Sequence, residues 1–332
     1  MERLKGYLCL ACAFGLAGTS VIAASFVNGR LGTFTITSMG LLLSLLSMIP
    51  FCSRKLLQTI RVLTLKEWLL LFCQALFGVF LFRMFLLYGL NLTSSAEAGI
   101  LTGVTPAITV TLAMVFLREK MKGNQIAGVL STICGILLIQ GLFLPGYQFT
   151  WAHLPGNILV LCAAGCESVF NVLSRAAAVQ NEEGKAESIH PVVQTALVSA
   201  IAFLLSLIPC LLEHPLPSLV GIGWSGWMAL VWYGPAVTAL AFMCWYAGIR
   251  RSDASTAAAF SGMMPFTALI LSVWFLKEPA GVPQWIGGLG VIAGMVLIGI
   301  KRTRRSAESG EPYHEGNAGK AGMNHSSEVS CR

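Results

Sequence analysis

Charge is what this sequence lacks. Of its 332 residues only 11% are Asp, Glu, Lys or Arg, and aspartate occurs once, at Asp253. Soluble domains carry about a quarter charged residues. Such a chain cannot coat itself in water, which excludes an ordinary soluble enzyme and requires an outer surface that faces lipid. Histidine is also scarce: five are present, with His153, His190 and His214 at the ends of apolar segments. There is no paired His/Asp motif, phosphate-cradling loop or cluster of metal ligands, so neither a catalytic centre, a cofactor nor a metal is expected. The ten cysteines form no disulfide framework, because eight of them lie in apolar runs where thiols act as small hydrophobes. Cys9 and Cys12 spell C-x-x-C but lack the second pair that a zinc site needs.

What the sequence does have is apolar length. Hydrophobic residues make up 55% of it and the mean hydropathy is +0.73. Ten segments approach the roughly 20 apolar residues that cross the membrane as a helix: 6–27, 31–51, 68–90, 94–117, 125–144, 157–178, 192–212, 226–249, 254–276 and 285–300. The 34 glycines suit close helix packing in lipid. The expected fold is therefore an all-α polytopic membrane protein with ten transmembrane helices. The net charge of +7 is a matter of topology. Nineteen of the 22 Lys and Arg fall on the side of the amino terminus, Arg30 and Lys277 fall on the other, and Arg83 lies within a helix. The positive-inside rule then places both termini in the cytoplasm and the chain in the cytoplasmic membrane as a multi-pass protein. It also removes the case for a nucleic-acid partner. Residues 303–332, poor in large apolar side chains, read as a disordered cytoplasmic tail.

The halves repeat at a constant offset of 159 residues. Met84 meets Met243, Gly103 meets Gly262, Pro106 meets Pro265, Glu119 meets Glu278, Gln125 meets Gln284, Gly128 meets Gly287 and Gly135 meets Gly294. Each unit holds five helices, and an odd number inverts the second copy. The expected organisation is a first repeat at 1–144, an outer connecting loop at 145–156, a second repeat at 157–302 and the tail at 303–332. Inverted repeats are the architecture of secondary transporters, whose two halves exchange inward-open and outward-open shapes around a midplane site.

The run Tyr88 to Ile100 (YGLNLTSSAEAGI), the mid-helix Pro106, and FLRE at Phe116 to Glu119 answered by FLKE at Phe275 to Glu278 resemble the drug/metabolite transporter superfamily, in particular its ten-helix EamA-like branch. The resemblance spans about residues 6–302. It implies an export carrier with a central cavity formed by helices of both halves. The first helix departs from the pattern, reading AFGLAGTSV without the Trp-Gly pair frequent there.

Ionisable groups within membrane helices are functional candidates by default. Arg83 and Glu97 flank the turn near Leu92 at similar depth, as a structural ion pair or a substrate contact. Glu167, near the middle of the sixth helix with Ser168 beside it and Asn171 one turn on, has no basic residue in its span and is a candidate proton carrier. The pair Thr19 and Ser20 matches Glu167 and Ser168 weakly and is expected at the same cavity. Trp232, Tyr233, Trp245 and Tyr246 are candidates either to stack a substrate, Trp245 and Tyr246 foremost, or to anchor the helix at the interface. Pro106 and Pro265 are expected to bend the fourth and ninth helices. Glu119 and Glu278 read as structural. The expected activity is export of small metabolites, amino-acid-like or drug-like, by alternating access with proton coupling through Glu167 or Glu97. The expected partners are a small-molecule substrate and the bilayer, with monomer and homodimer both open. A membrane-embedded enzyme and a receptor or scaffold without transport are the alternatives.

Overall fold

The computed structural model describes residues 2–20, 23, 26–27, 30–93, 101–139, 151–182, 189–277 and 280–299. Among these there is no strand. Helix α1 spans Glu2–Gly18 and α2 Thr33–Val62. Helix α3 runs Leu65–Ala75, widens into a π-helical turn at Leu76–Leu81 and continues as Phe82–Leu90. Then come α4 (Thr105–Phe116), α5 (Gly123–Ile139), α6 (Leu154–Glu182) and α7 (Pro191–Leu212), followed by a short connecting helix, Pro215–Gly221. Helix α8 runs Gly223–Val231, through a π-helical stretch at Trp232–Leu240, to Ala241–Ile249. Helix α9 consists of Ala254–Phe260 and Met263–Leu271 with a π-helical end at Ser272–Leu276, and α10 is Val282–Gly299. Six of these paths are long and apolar enough to cross a membrane, and α4, α5 and α10 are shorter apolar helices. Large apolar side chains such as Leu65, Val115, Phe116, Leu204 and Ile208 stand exposed on the outer faces, as a lipid-facing surface requires.

Local chemistry sets the helix starts. A capping box opens α3: the Thr64 amide donates to Glu67 Oε2 at 2.7 Å while Thr64 Oγ1 accepts from the Glu67 amide at 3.4 Å. Asp253 caps α9 by accepting the Thr256 amide at 2.7 Å. Helix α2 begins after Gly32, which has no side chain to cap it. Glu213, just past the end of α7, does so instead, accepting the amides of Phe34 and Thr35 at 3.1 and 2.7 Å and the Thr35 hydroxyl at 2.8 Å. A carboxylate at a helix amino terminus satisfies orphan donors and complements the dipole. A Cβ at position 32 would collide with that carboxylate, which accounts for the glycine.

Where the structure departs from the expected boundaries, tertiary contacts explain it. Helix α2 continues past 51 to Val62, straight through Pro50; Leu56 packs against the buried Met48, Cys52, Ala196 and Ala239 and holds the extension in place. Pro106 does not bend a helix interior. The chain turns at 103–104, α4 starts at Thr105, and the proline sits in the first turn, where its missing N–H costs nothing. Likewise α9 breaks at 261–262, and Pro265 falls in the first turn of the piece that follows.

The tightest packing is reciprocal. A Cβ on Gly128 would lie 2.7 Å from the Gly294 carbonyl oxygen, and one on Gly135 would lie 2.6 Å from that of Gly287. These four form two of the glycine pairs at the offset of 159: Gly128 contacts the counterpart of Gly135, and Gly135 contacts the counterpart of Gly128, the pattern a twofold axis produces. At the crossing of α5 and α10, Ser131 Oγ donates to the Gly290 carbonyl at 2.8 Å, and these two positions are themselves 159 apart. The seams α1–α8 and α3–α6 match too: Gly248 packs on Leu10 and the Gly6 carbonyl, and Gly89 on Val160 and the Gly156 carbonyl. Gly6 and Gly156 differ by 150 positions, so the first and sixth helices superpose at 150, and Glu167 corresponds to Ala17. The sequence match of Glu167 with Thr19 is out of register by two.

Candidate functional site

A cavity of about 400 Å³ lies between α1, α2, α3, α6, α7, α8 and α9. It extends to the ends of α1 and α2, where Ser20 and Thr33 line it. Its walls come from corresponding positions: Gly78, Val79, Phe82, Arg83 and Leu86 on α3 answer Val237, Thr238, Ala241, Phe242 and Trp245 on α8, each 159 positions on. Both stretches overlap the π-helical segments of those helices, an irregularity frequent where helices line functional sites.

Among the described lining residues two are ionisable at neutral pH, and they are of opposite sign: Arg83 and Glu167. Their corresponding positions are the apolar Phe242 and Ala17, which also line the cavity. The cavity is thus symmetric in placement but not in charge, each ionisable residue matched by an apolar counterpart. Arg83, half-buried, donates to the Tyr233 hydroxyl, and its guanidinium carbon stands 5.3 Å from the centre of the Tyr233 ring. The geometry leaves a cation fixed at one side of the cavity and stabilised by the ring face. Glu97 lies outside the described residues, and the Arg83–Glu97 pair with it.

Glu167 is held by α4. Thr105 Oγ1 donates to Glu167 Oε2 at 3.4 Å, Ser168 Oγ donates to the Thr105 carbonyl at 3.2 Å, and Asn171 Nδ2 donates to Thr109 Oγ1 at 3.4 Å. These contacts recur every four residues on both helices, so one face of α6 reads against one face of α4. Thr105 is the first residue of α4 after its break, so the interruption near Pro106 places a hydroxyl at the carboxylate. Asn171 lines the cavity; Ser168, wholly buried, serves the seam.

The remaining candidates separate. Ser20 lines the cavity, whereas Thr19 Oγ1 donates to the Leu16 carbonyl and accepts from Trp232 Nε1 at 2.9 Å. Trp245 lines the cavity, stacked on Phe170 at 5.9 Å and edge-on to Phe14 at 5.5 Å. Tyr246 does not: it is 1% exposed, and its hydroxyl donates to Gln74 Oε1 at 3.2 Å. Phe14, Phe82, Phe170 and Phe242, four of the six described aromatic residues that line the cavity, were not singled out by sequence. The offset of 159 from Arg83 would have found Phe242. Away from the cavity, Glu119 accepts the Ala254 amide at 3.2 Å and pairs with Arg175 at 3.4 Å. Burial pushes its carboxyl above the ordinary carboxylate range, outweighing the amide and the guanidinium, with Asp253 pushing the same way. Glu278 lies outside the described residues.

The profile of the EamA-like transporter family matches the chain twice, over residues 4–141 and 154–300. The chain belongs to this family of transporters. It is 31% identical over 314 residues to the uncharacterized transporter YetK of Bacillus subtilis, covering 92% of this chain and 90% of that protein. It is 27% identical to the aromatic amino acid exporter YddG of Ancylobacter novellus, covering 67% of this chain and 71% of the relative. It is 26% identical to a probable terminal-alkyne amino-acid exporter of Streptantibioticus cattleyicolor, covering 71% and 74%. A solved crystal structure with 21% identity superposes with a TM-score of 0.73 over 88% of this chain and 96% of that one, a likeness of fold.

Proposed function

We propose that this chain exports amino-acid-like zwitterions across the cytoplasmic membrane by alternating access between two inverted five-helix repeats, 1–144 and 157–302, joined by 145–156. Both termini are cytoplasmic on this reading, and the cavity, reaching Ser20 and Thr33, faces outward. The observation that carries it is the pair of opposite charges at one cavity, Arg83 from the first repeat and Glu167 from the second. Arg83 takes the substrate carboxylate through paired N–H donors, Glu167 takes the ammonium, and Phe14, Phe170, Phe242 and Trp245 receive an apolar or aromatic side chain. A volume near 400 Å³ falls in the range of small-molecule sites. Two relatives that are named exporters of amino acids support the class.

Glu167 is the proposed site of proton coupling, because it is the carboxylate that the cavity presents and substrate and proton compete for it; Glu97 is the second candidate from sequence. The test is counterflow of radiolabelled phenylalanine in proteoliposomes, with and without an imposed pH gradient. Glu167→Gln should abolish the gradient dependence while counterflow persists at a higher half-saturating phenylalanine concentration, because the amide oxygen still accepts from the ammonium without the charge. Gradient-driven flux that survives in Glu167→Gln removes the coupling role, and wild-type liposomes that exchange no phenylalanine remove the substrate.

A further inference from the structure

At the end of the cavity away from Ser20 and Thr33, three helices each carry a polar side chain one turn beyond a wall residue. Gln74 precedes Gly78 on α3, Gln194 precedes Val198 on α7 and Tyr246 follows Phe242 on α8, each by four positions. Each therefore shares a helix face with its wall residue and lies about 6 Å further along the axis. The three meet: Gln194 Nε2 and the Tyr246 hydroxyl both donate to Gln74 Oε1, at 3.1 and 3.2 Å. Gln74, Gln194 and Tyr246 are 0%, 5% and 1% exposed, and the Gln74 amide nitrogen has no partner among the described residues. One turn further along α8, Arg250 donates to Gln194 Oε1 and to the Ile189 carbonyl.

A fully buried amide with an idle donor, in an apolar cluster of Leu71, Ala75, Val193, Leu197 and Val198, is a poor way to stabilise a bundle. The repeat supplies a reason. The position 159 after Gln74 is Tyr233 and the position 159 before Tyr246 is Leu87, and both line the cavity. Positions sealed at one end are wall at the other.

We infer that Gln74, Gln194 and Tyr246 are the closed stretch of the transport path: a hydrogen-bonded floor in this conformation, and cavity wall once the carrier opens to the opposite end. The inference rests on the alternating-access reading. In the opened state the three side chains meet water and substrate, so their polarity stabilises that state rather than this one. Apolar replacements of like shape leave the closed floor intact and disfavour the open one.

The test reads opening without needing a substrate. In protein reconstituted into nanodiscs and carrying Gln194→Cys, a water-soluble methanethiosulfonate cation is applied and labelling is followed by peptide mass spectrometry. Native Cys52, 3% exposed and packed against Ala196, is the internal control. The introduced thiol should label at least about tenfold faster than Cys52, which an open state populated at about 1% suffices to give. Adding Gln74→Met with Tyr246→Phe should slow labelling of that thiol about tenfold while the melting temperature holds or rises. Labelling no faster than Cys52, labelling unaffected by the two apolar changes, or a lowered melting temperature overturns the inference and marks the cluster as structural. Phenylalanine counterflow by the wild-type protein is a separate measurement; its failure removes the proposed substrate and leaves the labelling result standing.

Discussion

Arg83 and Glu167 stood out in the sequence because an ionisable side chain in a lipid-embedded helix needs a reason, and the cavity supplies one. What the sequence could not show is which face neighbouring residues take. Trp245 and Tyr246 are adjacent, yet about 100° of helical rotation sends one to the cavity and the other into the buried amide cluster. Thr19 and Ser20 part in the same way. For Arg83 the planar fork matters more than the charge. Arg83→Lys should therefore lower the affinity for phenylalanine by about tenfold or more in equilibrium binding, the loss expected for about 1.5–3 kcal/mol of charged hydrogen bonding. Affinity within twofold of wild type would detach Arg83 from the substrate. Glu213 is the contrasting residue, with three hydrogen bonds to the start of α2 and no place at the cavity. Glu213→Ala should cost about 1–2 kcal/mol of stability, read as a lowered melting temperature in detergent, and Glu213→Gln should recover part of it.

At the level of elements, apolar length located the helices, while their irregularities depended on contacts distant in sequence. No local signal predicts that α2 outlasts Pro50, since the support comes from Ala196 and Ala239 across the bundle. The prolines at 106 and 265 were legible as special positions, but the turns at 103–104 and 261–262 ahead of them decide what they do. The glycine pairs were the most readable feature, because their identity in both halves already implied close approach. That packing makes a matched prediction: Gly135→Ala and its counterpart Gly294→Ala place a methyl 2.6 Å from the Gly287 carbonyl oxygen and 2.5 Å from the Gly128 carbonyl oxygen respectively. Each should destabilise by about 1–3 kcal/mol, and by similar amounts, because the two environments are reciprocal. Thermal unfolding of the two variants side by side checks this; a large loss in one and none in the other would mean the crossing is not a pseudo-twofold contact.

For the molecule as a whole, the distribution of Lys and Arg predicts sidedness. A fluorescent-protein fusion at the carboxyl terminus should glow, as it does only in the cytoplasm, while an alkaline phosphatase inserted within 145–156 should be active outside. The reverse result would invert the proposed direction of transport. The family membership and helical architecture were within reach of sequence reasoning; the location of the cavity was not, because it is assembled from seven helices whose faces are set only when they pack.

The pairing of Arg83 with Phe242, and of Glu167 with Ala17, has a thermodynamic consequence. On the proposed alternating-access reading, geometry is exchanged when the halves trade places but electrostatics is not, so a bound zwitterion would keep the same two anchors on both faces of the membrane. Any difference between its inner and outer dissociation constants must then arise from the uncharged wall that each face uncovers, which makes such a carrier close to balanced at rest and leaves directionality to the gradients across it.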